Sequence, residues 1–111
     1  MAYDEALAGR IRALVSREAG LTEMKMFGGL AFLINGNLAV SASGQGGLML
    51  RVDPADSADL VAGSPARLAE MRGRAMPGWL RVDAADIEGD GALAEWVARG
   101  VGFARSLPAK H

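Results

Sequence analysis

The sequence predicts an α+β domain of two layers, in which helices pack on an antiparallel sheet in the order α-β-β-β-α-β-β-α. Two observations lead to this fold class. Apolar residues recur with helical spacing at both ends of the chain, whereas between the ends they mostly alternate with a period of two. In addition, Asn35-Gly36 separates two apolar runs, and this dipeptide favours the type I′ turn of a hairpin.

The first predicted helix covers residues 4–19. Asp4 is placed to cap its first turn, and Gly20 offers the left-handed conformation that follows many helix ends. The apolar stripe consists of Leu7, Ile11, Leu14 and Val15. We therefore expect one face of this helix to pack on the sheet.

Three strands are predicted to follow as a meander. Their alternating apolar residues are Leu30, Phe32 and Ile34, then Leu38, Val40 and Ala42, then Leu48, Leu50 and Val52. The first strand is apolar on its second face as well, because Ala31 and Leu33 point away from Phe32. We expect this strand to lie centrally or to have its second face covered.

The second half of the chain adds a short helix, two strands and a long helix. Asp53-Pro54 is typical of a helix start, and Gly63 is expected to end that helix shortly after Val61. The remaining elements are predicted at Arg67–Met71, Gly78–Val82 and Gly91–Leu107. The last of these is a helix whose apolar stripe includes Trp96.

Composition narrows the classes of protein that the chain can represent. Its 111 residues predict one domain over 1–111, with half of the residues apolar and a net charge of −1. This balance gives no general attraction to nucleic acid or anionic lipid. The absence of cysteine excludes disulfides and thiol catalysis. Without a signal-peptide or membrane-spanning pattern, the protein is expected to be cytoplasmic, with no membrane partner.

No metal site and no cofactor is predicted. The acidic stretch from Asp86 to Gly91 begins like a calcium-binding loop, with acids at alternate positions followed by glycine. The position that supplies a bidentate glutamate in such loops is Val97 here. We therefore interpret the stretch as a solvated loop in which Asp90 caps the last helix.

No catalytic residues are predicted either, so a non-enzymatic role is expected. The single histidine, His111, is the last residue and follows a helix-ending proline. Ser41 and Ser43 alternate with apolar residues in a predicted strand, outside any nucleophile-elbow pattern. A small enzyme or ligand-binding protein that uses paired carboxylates is one alternative, because sequence alone cannot place two carboxylates together.

Clustered arginines suggest a second alternative, a nucleic-acid-binding accessory protein. The cluster consists of Arg67, Arg72, Arg74 and Arg81, with Glu70 as the acid in this span. These side chains could bind phosphates. In a chain of balanced charge, we favour ion pairs with the acidic stretch from Asp83 to Asp90 over binding to nucleic acid.

The segment Lys25–Phe32 resembles the RNP1 strand of RNA-recognition modules. However, Met26 stands where those strands have glycine, and Gly29 replaces the second stacking aromatic. We therefore favour core packing of Phe27 and Phe32. Gly28 and Gly29 are predicted to form a bend or bulge above them.

Four features in this order resemble the N-terminal domain of the TfoX/Sxy family. They are the Met26-Phe27-Gly28-Gly29 element, the Asn35-Gly36 turn, the strand that ends in Arg51-Val52-Asp53, and the last helix with Leu93 and Trp96. The resemblance covers nearly the whole chain. It implies a curved antiparallel sheet similar to secretion-chaperone-like folds, and it transfers no catalytic residues.

The resemblance also implies a regulatory role, because the best-known members regulate natural competence in bacteria. Those members carry a second, C-terminal helical domain, whereas this chain is expected to be a stand-alone N-terminal domain. We expect it to bind a protein partner, with a homodimer as one option. Trp79 is predicted to be either a core residue of its strand or a partner-facing anchor.

Overall fold

A computed structural model describes residues 3–26 and 28–109 and confirms the predicted α+β fold class. The helices are α1 (Glu5–Val15), α2 (Pro54–Gly63) and α3 (Asp90–Ser106), with a short 3₁₀ turn at Ala84–Ile87 before α3. The strands are β1 (Leu21–Met26), β2 (Gly29–Ile34), β3 (Asn37–Ala42), β4 (Leu48–Arg51), β5 (Arg67–Met71) and β6 (Arg74–Val82). They form one antiparallel sheet in the order β1-β2-β3-β4-β6-β5.

The sheet has one strand more than the sequence predicts. Strand β1 pairs with β2 along its full length, from Leu21 opposite Ile34 to Met26 opposite Gly29. Its four central residues are exposed, since β1 lies at an edge of the sheet. An edge strand of this kind needs no apolar alternation, and charged residues such as Glu23 and Lys25 protect it against pairing with other chains.

All three helices pack on one face of the sheet and bury the main core against it. The core includes Ile11 of α1, Leu93 of α3, and the strand residues Phe32, Val40, Leu50 and Leu80. Phe32 and Leu50 are completely buried. Burial of these apolar side chains is the main force that holds the two layers together.

The predicted helix starts are confirmed by their capping hydrogen bonds. Asp4 Oδ1 accepts from Leu7 N at 3.1 Å, and Asp53 Oδ1 accepts from Ala55 N at 2.9 Å. Helix α1 ends at Val15, earlier than predicted, and Leu14 is 43% exposed rather than part of the buried stripe.

Gly20 has the predicted left-handed conformation, with φ of 76°, but it belongs to the turn that leads into β1. In that turn, Asn35 N donates to Gly20 O at 3.0 Å. This contact ties the end of the α1–β1 connection to the next hairpin.

The Asn35-Gly36 turn is confirmed, because both residues have positive φ, at 52° and 82°. The Gly28-Gly29 element, predicted as a bend or bulge, forms a bend between two strands and not a bulge. Gly28 lies in the connection between β1 and β2 with φ of 76°, and Gly29 begins β2. The irregularity of β2 occurs between Phe32 and Leu33 instead. Phe27 and His111 lie outside the described residues.

Strand β6 begins earlier than predicted, because it continues through a bulge. The register with β5 moves from Leu68 opposite Leu80 to Ala69 opposite Met76, which leaves residues 77–79 without partners on β5. Gly78 has φ of 85° within this bulge. The segment expected to be an irregular connection is therefore mostly strand.

The expected cap of α3 is wrong. Gly89 occupies the cap position without a side-chain bond, and Asp90 is already the first helical residue. Its carboxylate instead accepts from Arg10 Nη2 at 3.1 Å. An acidic residue in the first turn still favours the helix through the dipole.

Candidate functional site

The face of the sheet opposite the helices carries its own apolar cluster. The cluster consists of strand residues, namely Ala31, Leu33, Leu38, Met49 and Ala69, with half-buried Met26 and Trp79 packed against them. No described helix contributes to it. We call this surface the helix-free face.

Strand β2 lies inside the sheet between β1 and β3, as predicted, and no described helix covers its second face. Ala31 is nevertheless only 1% exposed. Longer neighbouring side chains can shield a methyl group from water even where no second layer of helices covers the sheet. The two-sided apolar pattern of β2 thus reflects a shielded surface rather than a third layer.

One row of directly paired residues crosses the helix-free face. It runs from β1 to β5 through Met24, Ala31, Ser41, Met49, Arg81 and Arg67. Directly opposed residues in antiparallel strands project to the same side. Ser41 is small and its neighbour Met49 is long, and the face is hollow at Ser41.

The hollow, which we call the depression, has a volume of about 520 Å³. Its lining comprises Met26, Ser41, Ser43, Gly44, Gln45, Met49, Ala69, Glu70, Arg72 and Arg81. A cavity of this size is in the range of small-molecule sites.

Arg81 is fixed in the depression by neutral hydrogen-bond acceptors. Its Nη1 donates to Ser43 Oγ at 3.2 Å and to Gln45 Oε1 at 2.8 Å, and its Nη2 donates to Gly46 O at 2.9 Å. These contacts hold the guanidinium group in place without neutralising its charge. The β3–β4 connection therefore orients a cation at the edge of the depression.

Ser41 lies in the floor and is only 3% exposed. Within the described residues, its hydroxyl group makes no hydrogen bond, and it is not among atoms sealed from solvent. The hydroxyl group therefore opens into the depression. A polar group so placed can donate to or accept from a molecule bound there.

Two glycine-containing segments meet at one wall of the depression. A Cβ atom on Gly44 would lie 2.7 Å from the carbonyl carbon and oxygen of Gly28, and one on Gly29 would collide with the carbonyl oxygen of Ala42. The β1–β2 and β3–β4 connections can approach this closely only because they lack side chains here. The Gly28-Gly29 element thus shapes the site through its backbone.

Arg51 and Trp79 form a second feature on the edge of the helix-free face. They are paired across β4 and β6, and the guanidinium carbon of Arg51 lies 5.3 Å from the centroid of the Trp79 ring. The same carbon lies 5.6 Å from the Phe103 ring of α3. These distances are typical of cation–π contacts. Trp79 is half-buried, so part of its ring is available at the surface.

The predicted arginine cluster is brought together only in part. Arg67 lies beside Arg81 but pairs with Asp83 at 2.8 Å, which is one of the predicted contacts with the acidic stretch. Arg72 lines the depression, and Arg74 is exposed near the β5–β6 turn. In the described part of the chain, Arg51, Arg72, Arg74 and Arg81 form no ion pairs.

The other family-motif residues lie away from the depression. Asn35 and Gly36 form a turn, Asp53 caps α2, and Trp96 is buried in the main core. Trp96 also has the Arg99 guanidinium carbon 5.6 Å from its ring centroid. These residues shape the fold.

Asp59, Asp86 and Glu95 line one hollow beside α3, and Asp53 and Asp56 line another, within residues 3–26 and 28–109. No group of three acidic or histidine side chains there could hold a metal ion. Glu70 is the carboxylate residue that lines the depression. None of the described helices has the length and apolar character needed to cross a membrane.

Sequence reasoning overlooked Ser41, Met49 and Ala69 as site residues and treated Ser41 only as a possible nucleophile. A usable signal was present, because Ala31 and Ser41 are small residues on the second faces of strands that are otherwise rich in larger apolar residues. The pairing that places them side by side depends on register.

Comparison with known proteins gives one family match. The model of the TfoX N-terminal domain matches residues 13–104, from the middle of α1 to near the end of α3. No curated protein and no solved structure matches the chain.

Proposed function

Because the chain belongs to the TfoX N-terminal domain family, we propose that it is a non-enzymatic regulatory domain that binds a partner protein through the helix-free face. One observation carries this proposal. The face that no described helix covers combines Met26, Met49 and Trp79 with cations that lack an acidic partner in the described residues.

The residue types on this face support an interface. Methionine, tryptophan and arginine are enriched where proteins meet, and tryptophan and arginine are enriched among the residues that dominate affinity. Met24 is 49% exposed beside the apolar cluster, and Trp79 is half-buried with Arg51 against its ring. Methionine adapts its shape to different partners. Together these side chains offer an apolar contact surface with fixed cations.

Charge indicates the chemistry of the partner. Arg51, Arg72 and Arg81 leave the face positive, with Glu70 as the opposing charge at the depression. A second copy docked by the same face would bring these arginines together, which disfavours a symmetric face-to-face homodimer. We therefore commit to a partner protein that presents an acidic segment with apolar side chains.

The experiment compares two exposed apolar positions on opposite sides of the molecule. A photo-crosslinking amino acid replaces Met24 on the helix-free side or Leu14 on α1, which are 49% and 43% exposed. We expect crosslinks in cells from position 24 and few from position 14. Mass spectrometry should place the position-24 crosslink in an acidic, apolar segment of another protein.

A charge variant completes the test. The double substitution Arg51→Gln and Arg81→Gln should reduce the position-24 crosslink about tenfold, because it removes charge-assisted contacts. Equal crosslinking from both positions, or crosslinks between two copies of this chain, would overturn the proposal. Capture that is lost on nuclease treatment would instead favour the nucleic-acid alternative and its arginine cluster.

A further inference from the structure

We propose that the depression is a binding site for a small free carboxylate with an apolar body, such as a short-chain or aromatic carboxylic acid. This inference goes beyond partner binding and does not depend on it, since the isolated domain contains the whole depression. It rests on three properties of the depression: its shape, its cation and its unpartnered hydroxyl group.

The shape suits a small molecule rather than a chain of residues. The volume of about 520 Å³ lies within the range of small-ligand cavities. Met26, Met49 and Ala69 provide apolar walls and floor. A flexible polar anion would leave these groups without favourable contacts, whereas an aliphatic or aromatic body would cover them.

Arg81 provides the anion-binding group. Nη1 donates to two acceptors and Nη2 to one. Nε and Nη2 are adjacent nitrogens; in the described residues Nε–H has no acceptor, and Nη2 has one acceptor for its two N–H groups. This pair is the arrangement that binds both oxygens of a carboxylate. Because three bonds already fix the guanidinium group, little conformational freedom is lost when a ligand binds.

Ser41 and Glu70 make the site selective. Ser41 is only 3% exposed, and its hydroxyl group, unpartnered in the described residues, can donate to a carboxylate oxygen. Glu70 repels an anion in the depression, whereas Arg72 attracts one. A neutral ligand would gain only the weaker hydrogen bond that an uncharged oxygen accepts from Arg81.

Binding is measured on the purified domain by calorimetry and by NMR with labelled methionine and alanine methyl groups. The probes are hexanoate and benzoate, with hexanamide and benzamide as neutral analogues of the same shape. We expect the carboxylates to bind and to shift the methyl signals of Met26, Met49 and Ala69. The amides should bind at least about tenfold more weakly, since they lack the charge.

Variants then test the assigned residues. Arg81→Gln should weaken hexanoate binding by about tenfold or more, and Ser41→Ala by a smaller factor. Glu70→Gln should strengthen binding, because a repulsive charge is removed. Arg67→Gln is the matched control: Arg67 is paired with Arg81 across the strands, yet it does not line the depression. It should change affinity by less than about twofold.

Several results would overturn the inference. They are equal binding of carboxylates and amides, absence of binding at millimolar concentration, or equal losses in Arg67→Gln and Arg81→Gln. Each variant is compared with the parent by thermal unfolding, so that a folding defect is recognised. These binding measurements use no partner protein. A negative result would therefore contradict the carboxylate site without affecting the proposed partner binding, and a negative crosslinking result would not affect the carboxylate site.

Discussion

Apart from Arg67, which pairs with Asp83, the arginines on the two sides of the sheet have different kinds of partner. On the helical side, Arg10, Arg12 and Arg105 each contact a carboxylate on a distant element, at 3.1, 2.7 and 2.6 Å. On the helix-free face, Arg51 lies against aromatic rings and Arg81 donates to neutral oxygens. The first group connects elements of the fold, whereas the second group is fixed in position with its charge unneutralised.

The difference indicates on which side of the molecule the arginine charges are already paired within the chain. Ion pairs such as Arg10–Asp90 satisfy both charges within the chain, so they leave little for a partner to gain. A guanidinium group fixed by neutral acceptors keeps its attraction for an external anion. This contrast supports the proposed recognition through the helix-free face.

The largest expected effect tests whether the two faces of the sheet bury their residues to the same degree. Phe32→Ala removes a ring that is 0% exposed under the helices and should lower the free energy of unfolding by about 3–5 kcal/mol. Met49→Ala, on the helix-free face, should cost no more than about 2 kcal/mol, since water can enter the space. Chemical denaturation of both variants measures this difference. Equal losses would mean that the helix-free face is covered as tightly as the core.

A smaller effect tests the contact between α3 and the sheet. A Cβ atom on Gly100 would collide with the carbonyl oxygen of Ala39, whereas one on Gly102 meets nothing within 4 Å. Gly100→Ala should therefore lower the free energy of unfolding by about 1–3 kcal/mol. Gly102→Ala should raise it by about 0.5–1 kcal/mol through helix propensity. Thermal unfolding distinguishes the two, and similar changes in both would contradict the close approach.

The smallest effect concerns the charge pair Arg12–Glu23. Hydrogen bonds from Arg12 to both carboxylate oxygens, at 2.7 and 2.8 Å, hold the pKa of Glu23 below its usual value, although partial burial opposes the shift. A lowered folded-state pKa adds stability above the unfolded-state pKa, and this contribution is lost as the pH falls through the folded value.

Arg12→Gln should return the pKa of Glu23 toward its usual value and reduce that acid-side loss of stability. NMR titration of the Glu23 carboxyl carbon measures the shift. Arg17→Gln serves as the control, because Arg17 does not pair with Glu23 in the described structure. If the pKa of Glu23 is the same in Arg12→Gln as in the parent protein, Arg12 does not stabilise the Glu23 carboxylate. The pair could then no longer be counted among the ion pairs of the helical side.

Local chemistry explains which parts of the fold could be predicted from sequence. The caps at Asp4 and Asp53 and the turn at Asn35-Gly36 depend on a few neighbouring residues, and all three are present. Strand β1 could not be recognised by apolar alternation, since its exposed edge position imposes none. The bulge in β6 at residues 77–79 is defined by the register of β6 against β5, which is not a local property of the sequence.

The depression was beyond sequence reasoning for a different reason. Ser41 and Arg81 are far apart along the chain and become neighbours only through the register of β3, β4 and β6. A shift of one residue would turn either side chain to the opposite face. Residue types indicated an arginine-rich surface, but only pairing shows that Arg67 has an acidic partner and Arg81 does not.

The contact between Gly28 and Gly44 determines how this surface can be diversified. Main-chain atoms of the β1–β2 and β3–β4 connections meet there, so one wall of the depression is set by backbone contact. A methyl group at position 44 would force these two connections apart, whereas exchanges at Ser41 or Ala69 would change the lining without touching that contact.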